Sequence, residues 1–221
     1  MTTPELPKRD WTVLLLGGNS ASGKTRAAHA LSRRLGVQVA QADTYRLAVQ
    51  AVTTPEQHPA VHLFRTGAAK ELPPHEAAER WADVARALYP ALEMVVAYHL
   101  ATTAPLILEG DIVLPRLASR RYLPFVPAGT GVRAVYVIEP DEELIHQRSL
   151  HRGRGYHGMT ADEQRADSMR QRLHGEWLRA QAEEAGLPVL SPEPWDTLPD
   201  RILAAAASPA AAVPAAASPA A

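Results

Sequence analysis

Short apolar runs recur along the chain and predict five strands, at residues 12–16, 37–40, 105–109, 132–138 and 187–190. Each run is almost continuous in apolar residues, which is typical of parallel strands that are buried on both faces of a sheet. The segments between the runs carry helical spacing. This alternation predicts an α/β fold in which five strands form a parallel sheet with helices on both faces.

Two long helices are predicted between these strands. In the first, apolar residues recur at i, i+3, i+4 and i+7 on both sides of Pro90, and we expect the helix to kink or split there. The second opens at Thr160 with a Thr-x-x-Glu capping box, and we expect it to run to Gly186. Its predicted apolar stripe consists of Met169, Leu173, Trp177 and Ala180.

A phosphate-binding loop is predicted where the first strand ends, because Gly18–Thr25 read GNSASGKT and fit the pattern G-x-x-x-x-G-K-[ST]. Glycines let successive N–H groups point at a phosphate, and the positive end of the following helix adds to the attraction. We expect Lys24 to bridge the β- and γ-phosphates and the Thr25 hydroxyl to ligate Mg²⁺. In the alternative, this is a plain glycine turn. The predicted nucleotide-binding residues here are Gly18, Asn19, Ser20, Ala21, Ser22, Gly23, Lys24 and Thr25.

The composition limits which partners and which kinds of metal site we expect for this chain. The chain has 221 residues, a formal net charge of −1 and no cysteine. We expect no nucleic-acid partner, since domains that bind nucleic acid are usually strongly basic, and no thiolate metal site. No apolar stretch approaches the ~18 residues of a membrane span, so we expect a cytoplasmic protein without a membrane partner. We expect one kinase-like domain over residues 1–203 and a disordered Ala/Pro-rich tail over 204–221, while the oligomeric state is open.

Polar residues that follow the second strand predict part of an acceptor site. The strand leads into Gln41-Ala42-Asp43-Thr44-Tyr45-Arg46, and the carboxyl ends of strands line the ligand crevice in sheets of this type. Asp43 could accept the proton of an attacking hydroxyl, and Arg46 could hold an anionic group of the substrate. In the alternative, Asp43 is a helix N-cap, and the two roles are compatible.

Two acidic residues close the third strand. We expect Glu109 to face the phosphate loop, where a carboxylate can organise Mg²⁺ through water. Asp111 would point to the same side by alternation if the extended conformation continues. Both are predicted substrate-binding residues, and Glu109 is also a predicted metal-site residue. In the alternative, the strand emerges into solvent with polar residues.

Three arginines precede or follow Gly153 in a segment that we interpret as a small lid. Its glycines can act as hinges, and Arg148, Arg152 and Arg154 can supply charge to a transferring phosphoryl group. We predict that Arg152 and Arg154 are catalytic and that Arg148 binds the nucleotide. In the alternative, the segment is a solvated basic helix end that the helix dipole favours.

Two further segments are candidates for ligand contact. Trp195 lies in a proline-rich segment after the last strand and could flank an adenine ring, or it could cap the core under the final helix. Residues 53–74 form a long, loop-like region with several prolines, and we expect it to help recognise the acceptor.

With these residues in view, the chain resembles P-loop small-molecule kinases of the nucleoside-kinase-like group, especially 2-phosphoglycerate-kinase-like and zeta-toxin-like proteins. The resemblance implies a P-loop NTPase fold with a five-stranded parallel sheet and a small arginine-bearing lid, and it implies ATP as the donor. It also implies that Lys24 and Thr25 hold phosphates and metal, that Asp43 is the base and that Glu109 lies beside the metal. Residues 53–74 match no substrate-binding pattern of the group. The segments that carry the resemblance are GGNSASGKT at 17–25, ADTYR at 42–46, PLILEGDIVLP at 105–115 and RSLHRGRG at 148–155.

These expectations together predict an enzyme that uses ATP and Mg²⁺ to phosphorylate a small-molecule substrate bearing a hydroxyl or phosphate group. The sequence has neither the N-K-x-D segment nor the D-x-x-G switch of a GTPase. Two alternatives stay open. One is a zeta-toxin-like or antibiotic phosphotransferase, and the other is a nucleotide-binding regulatory module that hydrolyses ATP slowly.

Overall fold

The apolar runs form the predicted parallel sheet. The computed structural model describes residues 9–118, 131–153 and 156–207. Within these ranges the strands are β1 (Val13–Gly17), β2 (Gln38–Gln41), β3 (Leu106–Gly110), β4 (Val132–Val137) and β5 (Val189–Leu190). Their spatial order is β2-β3-β1-β4-β5, and every pairing is parallel. The predicted fold class is confirmed, and β1, which leads into the phosphate loop, is central.

Helices alternate with the strands as the sequence predicts. They are α1 (Lys24–Leu35), α2 (Ala42–Val52), α3 (Pro59–His62), α4 (Pro74–Ala101), α5 (Glu142–Arg152), α6 (Ala161–Glu184) and α7 (Leu198–Ala207). Short 3-10 helices cover Ala68–Glu71 and Pro115–Ala118. The predicted capping box opens α6, where the Thr160 side chain accepts from the Glu163 N–H and the Glu163 carboxylate accepts from the Thr160 N–H.

An apolar layer covers each face of the sheet. Val13 and Leu15 of β1 belong to a core that α4 and α6 complete, whereas Leu14 and Leu16 belong to a second core with α1 and α7. All four side chains are fully buried. The period of two along a strand accounts for this division, and burial on both faces accounts for the continuous apolar runs.

The strand register brings the predicted functional segments to one edge of the sheet. Gly17 at the end of β1 pairs with Gly110 at the end of β3, and Gln41 at the end of β2 pairs with Glu109. The phosphate loop, the start of α2 and the acidic end of β3 therefore meet in the crevice at the carboxyl ends of the strands.

Helix α4 does not split at Pro90, contrary to one of the two outcomes expected from the sequence. It continues as one helix over Pro74–Ala101. Proline removes one backbone hydrogen bond, but α4 is buried on both sides of it, with Leu88 and Leu92 at 1% and 0% exposure. Packing along the helix therefore outweighs the local loss.

The apolar stripe predicted for α6 is wrong at Met169 and Ala180, whereas Trp177 packs against the core as predicted. Met169 is 38% exposed and Ala180 is exposed, while the residues that α6 buries are Ser168, Gln171, His174, Gly175, Leu178 and Ala182. The first four of these are not large apolar side chains. The reason is that this part of the helix packs against the phosphate loop and the end of β3 rather than against apolar residues alone.

Two further expectations concern irregular segments. Residues 53–74 include α3 and the 3-10 helix Ala68–Glu71, so this region is only partly a loop. Helix α7 extends to Ala207, so the first four residues of the predicted tail are helical. The rest of that tail lies outside the described residues. None of the described helices has the length and apolar character needed to cross a bilayer.

Candidate active site

The phosphate loop has a backbone that two of its glycines make possible. Gly18 has φ +140° and Gly23 has φ +76°. A Cβ atom would lie 2.0 Å from the Val137 carbonyl oxygen if added to Gly18, and 1.9 Å from the Trp195 ring if added to Gly23. Ala21 also has a positive φ of 61°, a conformation that costs free energy in residues with a side chain and is often retained at functional sites.

The side chain of Asn19 joins this loop to the backbone of Glu139 by hydrogen bonds. The Asn19 side chain is fully buried. The Nδ2 donates to the Glu139 carbonyl oxygen over 2.8 Å, and the Oδ1 accepts from the Glu139 N–H over 3.0 Å. The Ser22 hydroxyl donates to the Asn19 carbonyl oxygen over 2.8 Å. A Cβ atom at Gly175 of α6 would lie 2.8 Å from the Asn19 side chain, so that glycine gives the side chain its room.

Lys24 and Thr25 begin α1 with their functional atoms inside the loop region. The Lys24 side chain is buried, and its Nζ donates to the Asn19 carbonyl oxygen over 2.9 Å. The Thr25 hydroxyl donates to Oε1 of Glu109 over 3.0 Å. Glu109 therefore faces the phosphate loop, where the sequence places it, and does not emerge into solvent.

Burial governs the protonation of Glu109, which is 3% exposed. Desolvation raises the pKa of this carboxyl above its usual value, while the Lys24 ammonium and the hydrogen bond from Thr25 lower it. The nearby carboxylates of Asp111 and Asp43 raise the pKa further. Added positive charge at this site would therefore stabilise the ionised forms of several carboxyl groups at once.

A first cavity of about 520 Å³ adjoins the phosphate loop and includes Ala21, Gly23, Lys24 and Thr25 in its walls. The wall also includes Arg148 and Trp195, the two residues predicted to bind the nucleotide outside the loop. Trp195 packs against Gly23 of the loop rather than in either apolar core.

Arg148 is held in place on this wall by two carboxylates. It donates to Oε2 of Glu139 over 2.5 Å and to Oε1 of Glu193 over 2.6 Å. Its guanidinium carbon lies 4.7 Å from the centroid of the Trp195 ring. Arg148 and Trp195 thus form a stacked pair beside the phosphate loop.

A second cavity of about 330 Å³ collects the residues predicted for the acceptor. Its walls include Ser20, Asp43, Arg46, Glu109 and Asp111. The Arg46 Nε donates to Oδ1 of Asp43 over 3.0 Å, and the Ser20 hydroxyl donates to Oδ2 of Asp111 over 3.5 Å. Asp43 lies in the first turn of α2, whose N-cap is Gln41, so the alternative reading of Asp43 as an N-cap is wrong.

Lys24, Thr25 and Arg152 line both cavities. Arg152 is the last residue of α5, is exposed, and has no ion-pair partner among the residues that the structure describes. Gly153 follows it with φ +66°. Arg154 lies outside the described ranges, so its predicted catalytic role stays a prediction.

The sequence prediction missed His174 on α6. Its Nε2 lies 2.7 Å from the carbonyl oxygen of Asp111, and the ring is 2% exposed. Burial lowers the pKa of His174 from 6.5 to about 4, so near neutral pH the uncharged ring donates to that carbonyl. Small and polar residues recur with helical spacing on this part of α6, and that spacing is the signal that could have identified the face.

The donor set fits Mg²⁺ bound together with a nucleotide. Thr25, Glu109 and Asp111 offer the oxygen ligands that Mg²⁺ prefers. In the described part of the chain, no three or more His, Cys, Asp or Glu side chains form a metal site by themselves. Mg²⁺ commonly takes only one or two protein ligands and completes its shell with phosphates and waters, which agrees with this arrangement.

Residues 13–175 match the family described as the AAA domain. No curated protein matches the chain. Among solved structures, a gluconokinase from Sinorhizobium meliloti 1021 has 18% identity, with 90% of this chain and 94% of that chain covered and a TM-score of 0.49. A protein from Chloroflexus aurantiacus j-10-fl described as a "putative kinase" has 15% identity, with 89% and 96% covered and a TM-score of 0.51. The second likeness shows a shared fold.

Proposed function

The chain belongs to the AAA domain family, and we propose that it transfers the γ-phosphoryl group of ATP to a small metabolite that bears a hydroxyl or phosphate group. The observation that carries this proposal is that two cavities share Lys24, Thr25 and Arg152. A phosphoryl transfer needs separate donor and acceptor sites whose reacting atoms come within about 3.5 Å of each other. The shared residues mark that meeting point.

The first cavity holds the donor in this proposal. The backbone N–H groups of the loop and the positive end of α1 attract the polyphosphate. The Lys24 ammonium exchanges the Asn19 carbonyl oxygen for phosphate oxygens, which are stronger partners because they are charged. Arg148 and Trp195 form a stacked surface against which the adenine base of the nucleotide can pack.

Thr25 and Glu109 prepare the position for Mg²⁺. The Thr25 hydroxyl donates its hydrogen bond to Glu109, so its oxygen lone pairs are left available to a cation. The buried carboxylate of Glu109 adds negative charge beside that position. When bound, Mg²⁺ would neutralise charge on the β- and γ-phosphate oxygens.

The second cavity holds the acceptor. Asp43 takes the proton of the acceptor hydroxyl as its oxygen bonds to the γ-phosphorus, and the bond from that phosphorus to the ADP oxygen breaks. Arg46 fixes the Asp43 carboxylate through a contact of 3.0 Å. A phosphate oxygen of the acceptor could attack in the same place without proton loss.

Arg152 supplies positive charge to the transferring group. Two arginines of α5 line the first cavity, and they differ in their ion pairs. Arg148 is paired with two carboxylates, and Arg152 is paired with none in the described residues. Arg152 is also the one that reaches the second cavity. We propose the same role for Arg154.

The test is a screen for ADP release with the purified protein, Mg·ATP and a library of small metabolites. We expect a subset of hydroxyl or phosphate compounds to release ADP with the wild type and none to do so with Lys24→Ala. Asp43→Asn should abolish transfer and leave ATP binding unchanged. ADP release that is independent of any added compound would instead indicate the regulatory module, and a response only to nucleotide sugars or antibiotics would indicate the toxin-like or antibiotic phosphotransferase.

A further inference from the structure

Two arginines from distant parts of the chain converge on one aromatic ring beside the acceptor cavity. The guanidinium carbon of Arg46 lies 5.5 Å from the centroid of the Trp81 ring, and that of Arg170 lies 5.2 Å from it. Phe64 packs edge-on against Trp81 with a centroid distance of 4.7 Å, and Arg170 also stacks near Phe64. Arg46 comes from α2, Trp81 from α4 and Arg170 from α6.

Both arginines are largely buried, and each is only partly compensated. The side chains are 18% exposed for Arg46 and 13% exposed for Arg170. Arg46 donates from Nε to Asp43 and from Nη1 to Gln50, and Arg170 donates from Nε and Nη2 to Asp167. Among the described residues, Nη2 of Arg46 and Nη1 of Arg170 have no hydrogen-bond acceptor. Each guanidinium group beside the Trp81 ring therefore has an unpaired N–H donor.

Trp81 itself carries an unsatisfied polar group beside the two arginines. Its ring is 9% exposed, and its Nε1–H is buried without a hydrogen-bond partner in the described part of the structure. A buried donor of this kind costs free energy unless an acceptor reaches it. This donor adds to the unpaired donors of Arg46 and Arg170 around the same ring.

We propose that Arg46, Trp81 and Arg170 form a subsite for an anionic group, phosphate or carboxylate, that the acceptor carries in addition to its reacting group. This inference rests on the proposed function, because it uses the second cavity as the acceptor site. Guanidinium groups suit such anions because their planar donors match phosphate and carboxylate oxygens in pairs. The aromatic ring holds the guanidinium planes in position and so reduces the entropy lost on binding.

The location agrees with a small, bifunctional acceptor. Arg46 lines the second cavity and contacts Asp43, so an anion on Arg46 places the rest of the molecule next to the proposed base. Arg170 lies one helical turn before His174 on α6, and the His174 ring contacts the carbonyl oxygen of Asp111 in the wall of the second cavity, so Arg170 also lies near this site. Arg170 and Phe64 also line a third cavity of about 470 Å³.

The test is calorimetric titration of inorganic phosphate, acetate and acetamide into protein saturated with Mg²⁺ and a non-hydrolysable ATP analogue. The analogue fills the phosphate loop, so the loop does not report the added anion. We expect saturable binding of phosphate or acetate, with one anion per chain, and no binding of neutral acetamide. Phosphate alone or acetate alone would each support the subsite and would identify the anionic group.

Arg46→Met and Arg170→Met should each weaken the binding of that anion roughly tenfold or more, because each removes charged hydrogen bonds while the stem still packs. Arg86→Met is the matched control. Arg86 stacks on Trp177 at 5.2 Å and pairs with Asp83 three residues away, as Arg170 does with Trp81 and Asp167, but it lines a different cavity. Arg170→Lys should restore only part of the affinity, since it keeps the charge and loses the planar fork.

Failure of the inference and failure of the proposed function give different results. Protein that does not bind the ATP analogue contradicts the proposed function itself. Protein that binds the analogue but shows no saturable anion binding, or equal anion binding in wild type, Arg46→Met and Arg170→Met, overturns only the subsite. A neutral acceptor from the ADP-release screen whose KM is unchanged by Arg170→Met would overturn it as well.

Discussion

The Thr25 hydroxyl donates to Oε1 of Glu109 over 3.0 Å and so joins the first turn of α1 to the end of β3. The contact links the two segments that must act on the same phosphates in the proposed reaction. Because a hydroxyl has one donor and two acceptor sites, this bond fixes the proton away from the cation position. Glu109 is therefore a positioning residue for Thr25 as well as a nearby negative charge.

Glu109→Gln should lower the turnover rate roughly a hundredfold, because an amide keeps the shape but loses the charge beside the metal position. Activity should also require more Mg²⁺. The measurement is the turnover rate as a function of Mg²⁺ concentration, with the acceptor that the ADP-release screen identifies. Thr25→Ser is the control and should retain most of the activity, since it keeps the hydroxyl. An unchanged Mg²⁺ requirement in Glu109→Gln would contradict this role.

Asn19→Ala should destabilise the folded protein by about 3 kcal/mol. The substitution leaves the buried N–H and carbonyl of Glu139 without their partner, and each such group costs about 1–3 kcal/mol. Urea unfolding of the two proteins measures the difference in the free energy of unfolding. Ser20→Ala is the matched control in the same loop, because it loses only a contact of 3.5 Å. A change as small in Asn19→Ala as in Ser20→Ala would show that the loop does not depend on Asn19.

Much of the sheet and of the phosphate loop could be predicted because local signals determine them. The strands are buried on both faces, so their apolar runs place them to within two residues of the observed ends. The loop motif identifies Lys24 and Thr25 directly. The topology of a parallel sheet then brings Asp43 and Glu109 to the same edge, as the register of β2 and β3 confirms.

What the sequence did not reveal depends on contacts between distant segments. Helix α6 buries Gln171 and His174 against the site, so a search for an apolar stripe selects the wrong face. The group of Arg46, Trp81 and Arg170 exists only because α4 packs against both α2 and α6. No spacing within one helix predicts such a group.

Arg152→Ala should lower the turnover rate by roughly a hundredfold or more while ATP affinity changes little. The reason is that Arg152 lines both cavities and can act on charge that develops during transfer, whereas binding of the nucleotide has many other contacts. The measurements are the turnover rate at saturating ATP and the Kd for ATP by calorimetry. Arg26→Ala is the matched control, because Arg26 lines only the first of these two cavities. Equal turnover in the wild type and Arg152→Ala would remove Arg152 from the mechanism.

The buried ring of His174 should make the protein less stable in acid. The pKa of His174 is about 4 in the folded protein and 6.5 in an ordinary setting. Between these values the unfolded chain binds a proton at this residue and the folded protein does not. The free energy of unfolding therefore falls as the pH is lowered from about 6.5 to about 4, by about 3 kcal/mol from this residue.

His174→Gln isolates that contribution, because glutamine can donate to the Asp111 carbonyl oxygen and does not titrate. Urea unfolding of both proteins from pH 7.5 to pH 4 gives the difference in their free energies of unfolding at each pH. The other charges near the ring, Asp111, Arg170 and Lys24, are common to both proteins. We expect the difference to shift by about 3 kcal/mol in favour of the variant as the pH falls. The exposed residue His58, changed in the same way, controls for the substitution itself. A difference that stays constant with pH would show that His174 becomes charged as readily in the folded protein as in the unfolded chain.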